Sequence, residues 1–241
     1  CKFGGSSVAD AAQIKKVKEI IESDRQRVYV VPSAPGKRFE GDTKVTDMLY
    51  AYHAAVSRGE SGDEIFEEIR QRFIDIRDGL GVSTDIESHL DKIAADVQAG
   101  ACEDYTVSRG EYLNGLLLAD YLGFDFIDPA GAIFFNANGV YESEKTRTVM
   151  RGRLRQSRTA VIPGFYGSMP DGTIKTFSRG GSDITGAIVA RAAKADVYEN
   201  WTDVPGVMMA DPRIVENPRV ISKITYRELR ELSYMGATVL H

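Results

Sequence analysis

The stretch CKFGGSSVADAAQIKKVKEIIESDRQRVYVVPSAPG, residues 1–36, decides the fold. It begins with a short strand-like segment and a Gly-Gly-Ser turn. Apolar residues then recur at helical spacing (Ile14, Val17, Ile20 and Ile21), and a β-branched run closed by a Pro/Gly turn follows. Strand, helix and strand in this order are typical of a βαβ unit, which favours a parallel sheet with crossover helices. We therefore predict an α/β fold.

The composition indicates a globular protein and argues against several functions. Hydrophobic residues make up 43% of the 241 residues and charged residues 27%, both near the averages for folded domains. The formal net charge of -5 argues against binding to a nucleic-acid backbone. Two cysteines give no disulfide framework or metal-ligand pattern, and no apolar run approaches the roughly 20 residues of a membrane span. We expect a cytoplasmic protein with no membrane or nucleic-acid partner.

Beyond the first unit, the sequence changes character twice. Residues from about 45 to 118 carry spaced apolar residues between Gly-containing breaks, which predicts a helical region. Strand patterns return in FDFIDPAGAIFF (124–135) and TAVIPGFYG (159–167), and a helix is predicted after GGSD (180–183). DVYENWTDVPGV (196–207) predicts another strand and turn, and TYRELRELSYMGATVLH (225–241) a final amphipathic helix.

Two glycine pairs, in KFGGSS (2–7) and FSRGGSD (177–183), raise the question of an anion site. Each has an ordinary interpretation, a turn that needs glycine's backbone freedom or a helix N-cap. The functional interpretation is that small residues let backbone N–H groups approach phosphate oxygens, with Lys2 adding a point charge. Arg179 can bind a carboxylate with two parallel hydrogen bonds. Neither a GxxxxGK[ST] loop nor a GxGxxG fingerprint occurs in the chain.

Taken in order, several motifs resemble the series found in aspartate kinases, within the amino acid kinase family. They are KFGGSS, VTDMLY, GEYL, GFYG followed by SRGGSD, WTDVPGVMMADPR and SYMGATVLH. Single members of this series are weak indicators, but the complete order from residue 2 to residue 241 is highly specific. The resemblance implies a three-layer αβα sandwich with a central, mainly parallel sheet of about eight strands.

The resemblance also implies the reaction and its participants. ATP would phosphorylate the side-chain carboxylate of L-aspartate to 4-phospho-L-aspartate, the first step of lysine, threonine and methionine biosynthesis. Mg²⁺ would be carried by the nucleotide phosphates, with no metal site of protein ligands. The attacking carboxylate is already ionised at pH 7, so no general base is required, and alignment and charge stabilisation remain as the protein's tasks.

The residues that match the family's motifs fall into three implied groups. Lys2, Gly4, Gly5 and Ser6 would hold the transferring phosphoryl group, with Asp183 orienting Lys2. The aspartate pocket would include Ser6 and the further set Thr46, Glu111, Phe165, Arg179 and Ser182, in which Glu111 faces the substrate amine. The nucleotide would be contacted by Ser33, Thr202, Asp203, Met208, Asp211 and Arg213.

Two departures from the family pattern concern charge. Asp47 stands where Asn is common and adds a negative charge near an acidic substrate. Thr238 stands where a lysine is often found, and Lys175 or Arg213 are the candidates to replace that cation.

We expect residues 1–241 to form the catalytic domain of a longer protein. The chain does not begin with Met and it stops on an apolar run, GATVLH. The ACT regulatory domains that normally follow in this family are not in this chain, and a homodimer is expected for the full-length protein.

Two alternatives stay open at the level of sequence. One is a sibling kinase of the same fold that acts on glutamate or N-acetylglutamate. The other, from a different functional class, is a nucleotide-binding module without catalysis. The set Lys2, Glu111, Arg179 and Asp183 favours an enzyme.

Overall fold

The first 36 residues form the predicted βαβ unit. The computed structural model describes residues 1–178, 180–203, 206–210 and 214–234. Strand β1 (Lys2–Phe3) is followed by a 3-10 turn (Gly5–Val8), helix α1 (Ala11–Glu22) and strand β2 (Tyr29–Pro32). The two strands are parallel, with Lys2 opposite Val31. The βαβ prediction is confirmed.

The central sheet is parallel throughout the described residues. Its other strands are β3 (Asp125–Phe126), β4 (Ala160–Val161) and β7 (Asn200–Trp201), and the order across the sheet is β3-β4-β2-β1-β7. A separate antiparallel hairpin is formed by β5 (Tyr166–Ser168) and β6 (Ile174–Thr176). The described sheet therefore has five strands, fewer than the eight or so that the resemblance implied. The short strand β1 lies inside it, between β2 and β7.

Alternate side chains of the central strands point into two different hydrophobic cores. Val30 and Val161 belong to the core shared with helices α1 to α5, whereas Val31 and Ile162 belong to the core shared with α6 and α7. This alternation is what a sheet covered on both faces requires. The fold is therefore a three-layer αβα sandwich, as predicted.

The predicted helical region is confirmed. It consists of α2 (Val45–Ser57), α3 (Asp63–Leu80), α4 (Ile86–Gln98) and α5 (Glu103–Leu122). Helices α3 and α5 both end at a glycine in the left-handed conformation, Gly81 with φ of 69° and Gly123 with φ of 67°. Only glycine adopts this conformation without steric cost, which explains the Gly-containing breaks.

On the other face of the sheet lie α6 (Ser143–Gln156) and α7 (Gly181–Ala193). Helix α7 begins at the second glycine pair, as predicted. Helix α6 was not predicted, because SEKTRTVMRGRLRQ is dominated by charged and other polar residues. It buries only Thr146, Met150 and Leu154, at spacings of four residues.

The chain divides into two compact units, Cys1–Trp201 and Thr202–His241. In the second unit an isolated antiparallel bridge joins Met208 to Val220, and helix α8 (Tyr226–Tyr234) confirms the final predicted helix over its described length. Among the described residues, no helix is long and apolar enough to cross a membrane.

Candidate active site

Lys2 and Asp183 form an ion pair at the centre of the candidate site. Lys2 lies on β1 and is only 8% exposed, and its Nζ is 2.9 Å from Oδ1 of Asp183 in the first turn of α7. The pair therefore joins the first glycine turn to the start of the helix that follows the second one. This is the arrangement expected if Asp183 orients Lys2.

Two residues that the sequence did not single out hold Asp183 in place. Asn200 lies directly opposite Lys2 on the neighbouring strand β7, and its Nδ2 donates to Oδ1 of Asp183 at 3.2 Å. The Tyr198 hydroxyl donates to the backbone carbonyl of Asp183 at 3.4 Å. Asn200 is the first residue of the two-residue strand β7, and no motif in the sequence marked it.

The first glycine turn packs tightly against the segment that follows β2. The Gly36 N–H donates to the Gly5 carbonyl at 2.8 Å. A Cβ on Gly36 would lie 2.5 Å from the Gly5 carbonyl carbon and 2.7 Å from the Ser6 nitrogen, closer than real Cβ atoms come to backbone. At Gly4, a Cβ would lie 3.7 Å from the Lys2 Nζ. The turn thus has a fixed position and leaves little space for added side-chain atoms.

The two glycine turns do not open equivalent helices. The first leads into the four-residue 3-10 turn Gly5–Val8, and α1 begins only at Ala11. Asp10 caps α1 by accepting the Gln13 N–H at 2.9 Å. An α-helix therefore begins directly only at the second turn, where Gly180 precedes α7 with φ of 56°.

Phe165 and Ser182 lie together beside the start of α7. Phe165 has φ of 83°, which is unusual for a residue with a side chain. Its backbone is fixed by two hydrogen bonds, from its N–H to the Thr185 hydroxyl at 3.1 Å and from the Phe177 N–H to its carbonyl at 2.9 Å. Ser182 is buried against Gly164, where a Cβ would lie 2.3 Å from its Oγ. Arg179 lies outside the described residues.

Glu111 is a buried acid without a charged partner at hydrogen-bond distance among the described residues. It lies on α5 and is 5% exposed. Burial raises its pKa to about 8, although a hydrogen bond from the Ala34 backbone N–H and the charge of Arg109 act in the opposite direction. Its Oε2 has no hydrogen-bond partner in the described part of the chain. Such a group is suited to receive a cationic or hydrogen-bond-donating group of a ligand.

Ser33 and Thr46 border the segment between β2 and α2. The Ser33 N–H donates to the Phe3 carbonyl at 3.0 Å, and its own carbonyl accepts from Nδ2 of Asn114 at 2.7 Å. Thr46 is half-buried in the first turn of α2, whereas the neighbouring Asp47 is exposed. Asn114 is a further residue that helical spacing alone did not mark as part of the site.

The residues expected to contact the nucleotide lie mainly in the second unit. Thr202 and Asp203 are exposed, and the Thr202 hydroxyl donates to Oδ1 of Asp203 at 3.1 Å. Met208 forms the bridge to Val220 described above. Asp211, Arg213 and Thr238 lie outside the described residues. Lys175, one candidate to replace the missing lysine, is paired with Asp104 at 2.7 Å.

Within the first unit, shared contacts bring most of the predicted residues together. Lys2 contacts Asp183 on α7, and the neighbouring positions on this helix, Gly181 and Ser182, pack against 164–165. Ala34 contacts both Gly5 and Glu111. Among the described residues, no cluster of three or more His, Cys, Asp or Glu could bind a metal ion.

Comparisons with known proteins identify the family of the chain. The family model "Amino acid kinase family" matches residues 1–241. Aspartokinase 3 of Bacillus subtilis is 40% identical over all of this chain and 56% of its own length. The chain thus spans about half the length of such relatives.

Solved structures show the same fold. The crystal structure of Clostridium acetobutylicum aspartate kinase matches with a TM-score of 0.94 and 53% identity, over 100% of this chain and 55% of that one. E. coli aspartokinase III in complex with aspartate and ADP matches with a TM-score of 0.84 and 29% identity, over 100% of this chain and 57% of that one. Because the family model matches all 241 residues, this chain belongs to the amino acid kinase family.

Proposed function

We propose that this protein transfers the γ-phosphoryl group of ATP to the side-chain carboxylate of L-aspartate, giving 4-phospho-L-aspartate. The observation that carries the proposal is the buried Lys2–Asp183 pair, 2.9 Å apart, beside the tightly packed glycine turn. The matched relatives with 40% and 53% identity are named aspartokinase and aspartate kinase, which supports aspartate as the acceptor.

Lys2 and the glycine turn stabilise charge on the phosphoryl group during transfer. An aspartate carboxylate is ionised at pH 7 and attacks without a general base. The barrier is lowered by alignment and by preorganised positive charge near the phosphoryl oxygens. Lys2 supplies that charge, while Asp183 and Asn200 fix where it lies. Nucleotide binding and Mg²⁺ belong to the same proposal; Mg²⁺, arriving on the nucleotide phosphates, neutralises part of their charge when bound.

Glu111 binds the amine of the substrate. Its unpartnered Oε2 can accept a hydrogen bond from an ammonium group. Because its pKa is about 8, the carboxyl is mostly protonated at pH 7 before substrate binds. Binding of an ammonium group favours the carboxylate, so aspartate binding should release a proton from Glu111.

The remaining site predictions are part of this proposal. Ser6, Thr46, Phe165, Arg179 and Ser182 complete the aspartate pocket, and Ser33, Thr202, Asp203, Met208, Asp211 and Arg213 contact the nucleotide. We place the reaction in the cytoplasm, at the start of lysine, threonine and methionine biosynthesis, and expect the full-length protein to form a homodimer.

A hydroxylamine trap tests the proposal directly, because acyl phosphates react to give coloured hydroxamates. The full-length protein is incubated with MgATP and, in parallel, L-aspartate, L-glutamate or N-acetylglutamate. We expect product only, or by far the fastest, with L-aspartate. A clear preference for either glutamate compound would assign the chain to a sibling kinase instead.

A pair of lysine variants separates an enzyme from a nucleotide-binding module. Lys2→Ala should reduce kcat by about 100-fold or more, with a smaller effect on the affinity for ATP, because Lys2 acts mainly on transition-state charge. Lys16→Ala, on the exposed face of α1, is the control and should retain full activity. Unchanged turnover in Lys2→Ala would contradict a catalytic role for this site.

A further inference from the structure

Arg72 is a buried arginine on α3 that binds three separate backbone segments. It is 4% exposed. Four of the five N–H donors of its guanidinium are used: two go to the carbonyls of Ala9 and Gly36, and two go to Oδ2 of Asp42 at 3.0 Å and the Thr43 carbonyl at 3.3 Å. The remaining donor, on Nε, is buried and has no partner among the described residues. A single side chain therefore ties the end of the 3-10 turn to both ends of the segment 36–43.

The segment that Arg72 holds is the one packed against the glycine turn. Gly36 donates its N–H to the Gly5 carbonyl at 2.8 Å, while its carbonyl accepts from Arg72. Ala34, two residues earlier, contacts Gly5 through its carbonyl and the Glu111 carboxylate through its N–H. Gly36 is therefore the single residue that connects Arg72 to Gly5 in the glycine turn.

The close packing at Gly36 allows little independent movement. The Gly36 Cα is placed so that even a methyl group on it would overlap Gly5 and Ser6. A displacement of Gly36 must therefore move the turn or open a gap beside it, since packed interiors do not deform continuously. A hydrogen bond from Arg72 holds the Gly36 carbonyl, so Arg72 lies one contact away from the turn.

We infer that Arg72 is a positioning residue for phosphoryl transfer, which fixes the glycine turn through Gly36. The inference rests on the proposed kinase function. Among the described residues, the hydrogen bonds of Arg72 go to Ala9, Gly36, Asp42 and Thr43, none of which is a predicted site residue. Arg72 acts mainly through hydrogen bonds to backbone carbonyls. The planar guanidinium is required because one side chain must donate to Gly36 through one nitrogen and to Asp42 through another.

Arg72→Met is a suitable test because it leaves no unpaired carboxylate. Asp42 keeps three hydrogen bonds from Arg38 when Arg72 is removed, one from the backbone N–H and two from the guanidinium, each 2.9 Å long. Ile69→Ala on the same helix is the matched control. Ile69 is fully buried in the helical core, so its truncation destabilises the protein without removing a hydrogen bond to Gly36 or Ala9.

The first measurement does not depend on the substrate. Hydrogen exchange of the Gly36 amide and of the amides in residues 33–44 is followed in the full-length wild type, Arg72→Met and Ile69→Ala. We expect at least tenfold faster exchange in Arg72→Met than in Ile69→Ala, compared at equal global stability. Equal protection in the two variants would overturn the inference, whatever reaction the protein catalyses.

The second measurement separates positioning from overall stability. With aspartate and MgATP, Arg72→Met should lose roughly 100-fold in kcat, the scale expected for a reacting group misplaced by about 1 Å, with KM for ATP changed less than about threefold. Ile69→Ala should retain kcat within about twofold. Wild-type kcat in folded Arg72→Met, or equal losses in both variants, would contradict the inference. Absence of activity in the wild type would refute only the proposed function. The hydrogen-exchange comparison would then decide whether Arg72 fixes the glycine turn.

Arg72→Lys keeps the test decisive if Arg72→Met does not fold. Lysine retains the charge but lacks the planar fork that reaches Gly36 and Asp42 together. We expect roughly a tenfold loss in kcat and faster exchange at Gly36. A lysine variant with wild-type kcat and protection would show that the fork is not needed, which contradicts the inference.

Discussion

The buried carboxyl of Glu111 should make the stability of this protein depend on pH. Its pKa is about 8 in the folded protein, against 4.5 for an unperturbed glutamate, because burial disfavours the charged form. Below pH 4.5 the group is protonated in both states and has no effect. Between pH 4.5 and 8 the unfolded state loses this proton first, so the free energy of unfolding falls as pH rises.

The magnitude follows from the difference between the two pKa values. Each pKa unit corresponds to 1.36 kcal/mol, so the penalty grows from roughly 1 to 2 kcal/mol at pH 5.5 to roughly 4 to 5 kcal/mol at pH 9. Glu111→Gln cannot ionise and removes this penalty while preserving shape. The stability of the variant relative to wild type should therefore increase by about 3 kcal/mol between pH 5.5 and pH 9.

Urea unfolding of both proteins at the two pH values measures this quantity, and taking the difference cancels the titration of other groups. Glu22→Gln, an exposed position on α1, is the control and should differ from wild type by the same small amount at both pH values. A difference between Glu111→Gln and wild type that is independent of pH would show that Glu111 titrates near 4.5. The reasoning from burial would then be refuted.

The other predictions concern the ion pair, the substrate pocket and the first helix. Asp183→Asn should lower kcat by roughly 100-fold in steady-state assays, since Lys2 loses the carboxylate that fixes it; a kcat within twofold of wild type would contradict that role. Gly181→Ala places a Cβ 2.5 Å from the Phe165 ring and should raise KM for aspartate about tenfold. An unchanged KM would contradict the prediction that Phe165 lines the aspartate pocket. Asp10→Ala removes the cap of α1 and should lower the free energy of unfolding by about 1 kcal/mol in urea with unchanged kcat; no loss of stability would mean that the cap contributes nothing.

The spacing of apolar residues was sufficient to predict most of the strands and helices that form the three layers. The alternation of strand, helix and strand in residues 1–36 and the four-helix region were predicted from apolar spacing, which is clear in α1 to α4 because each buries one face. Helix α5 is buried on several sides. Helix α6 was not predicted from apolar spacing, because only three of its residues are buried and most of the others are polar or charged. The reduced number of described strands also could not be anticipated, because strands of two residues are too short to show a period.

The candidate site shows a similar division. The ordered motifs predicted Lys2, Glu111 and Asp183 as site residues, because each lies at a matching position in the motif series. Their supporting residues carry no such mark. Asn200 can donate to Asp183 because β7 pairs with β1 in the register that places Asn200 opposite Lys2. Arg72 appears in the sequence as one more charge on an amphipathic helix.

What the sequence determined by itself is therefore the order of elements, the family and the chemical types at the centre of the site. These follow from local patterns and from motif order. The tertiary structure decided which of those groups are buried and what holds them. Glu111 has a raised pKa because it is buried where α5 contacts Ala34, and Arg72 on α3 donates a hydrogen bond to Gly36, 36 residues away in the chain. Burial and long-range hydrogen bonds depend on segments far apart in the chain, so no local pattern encodes them.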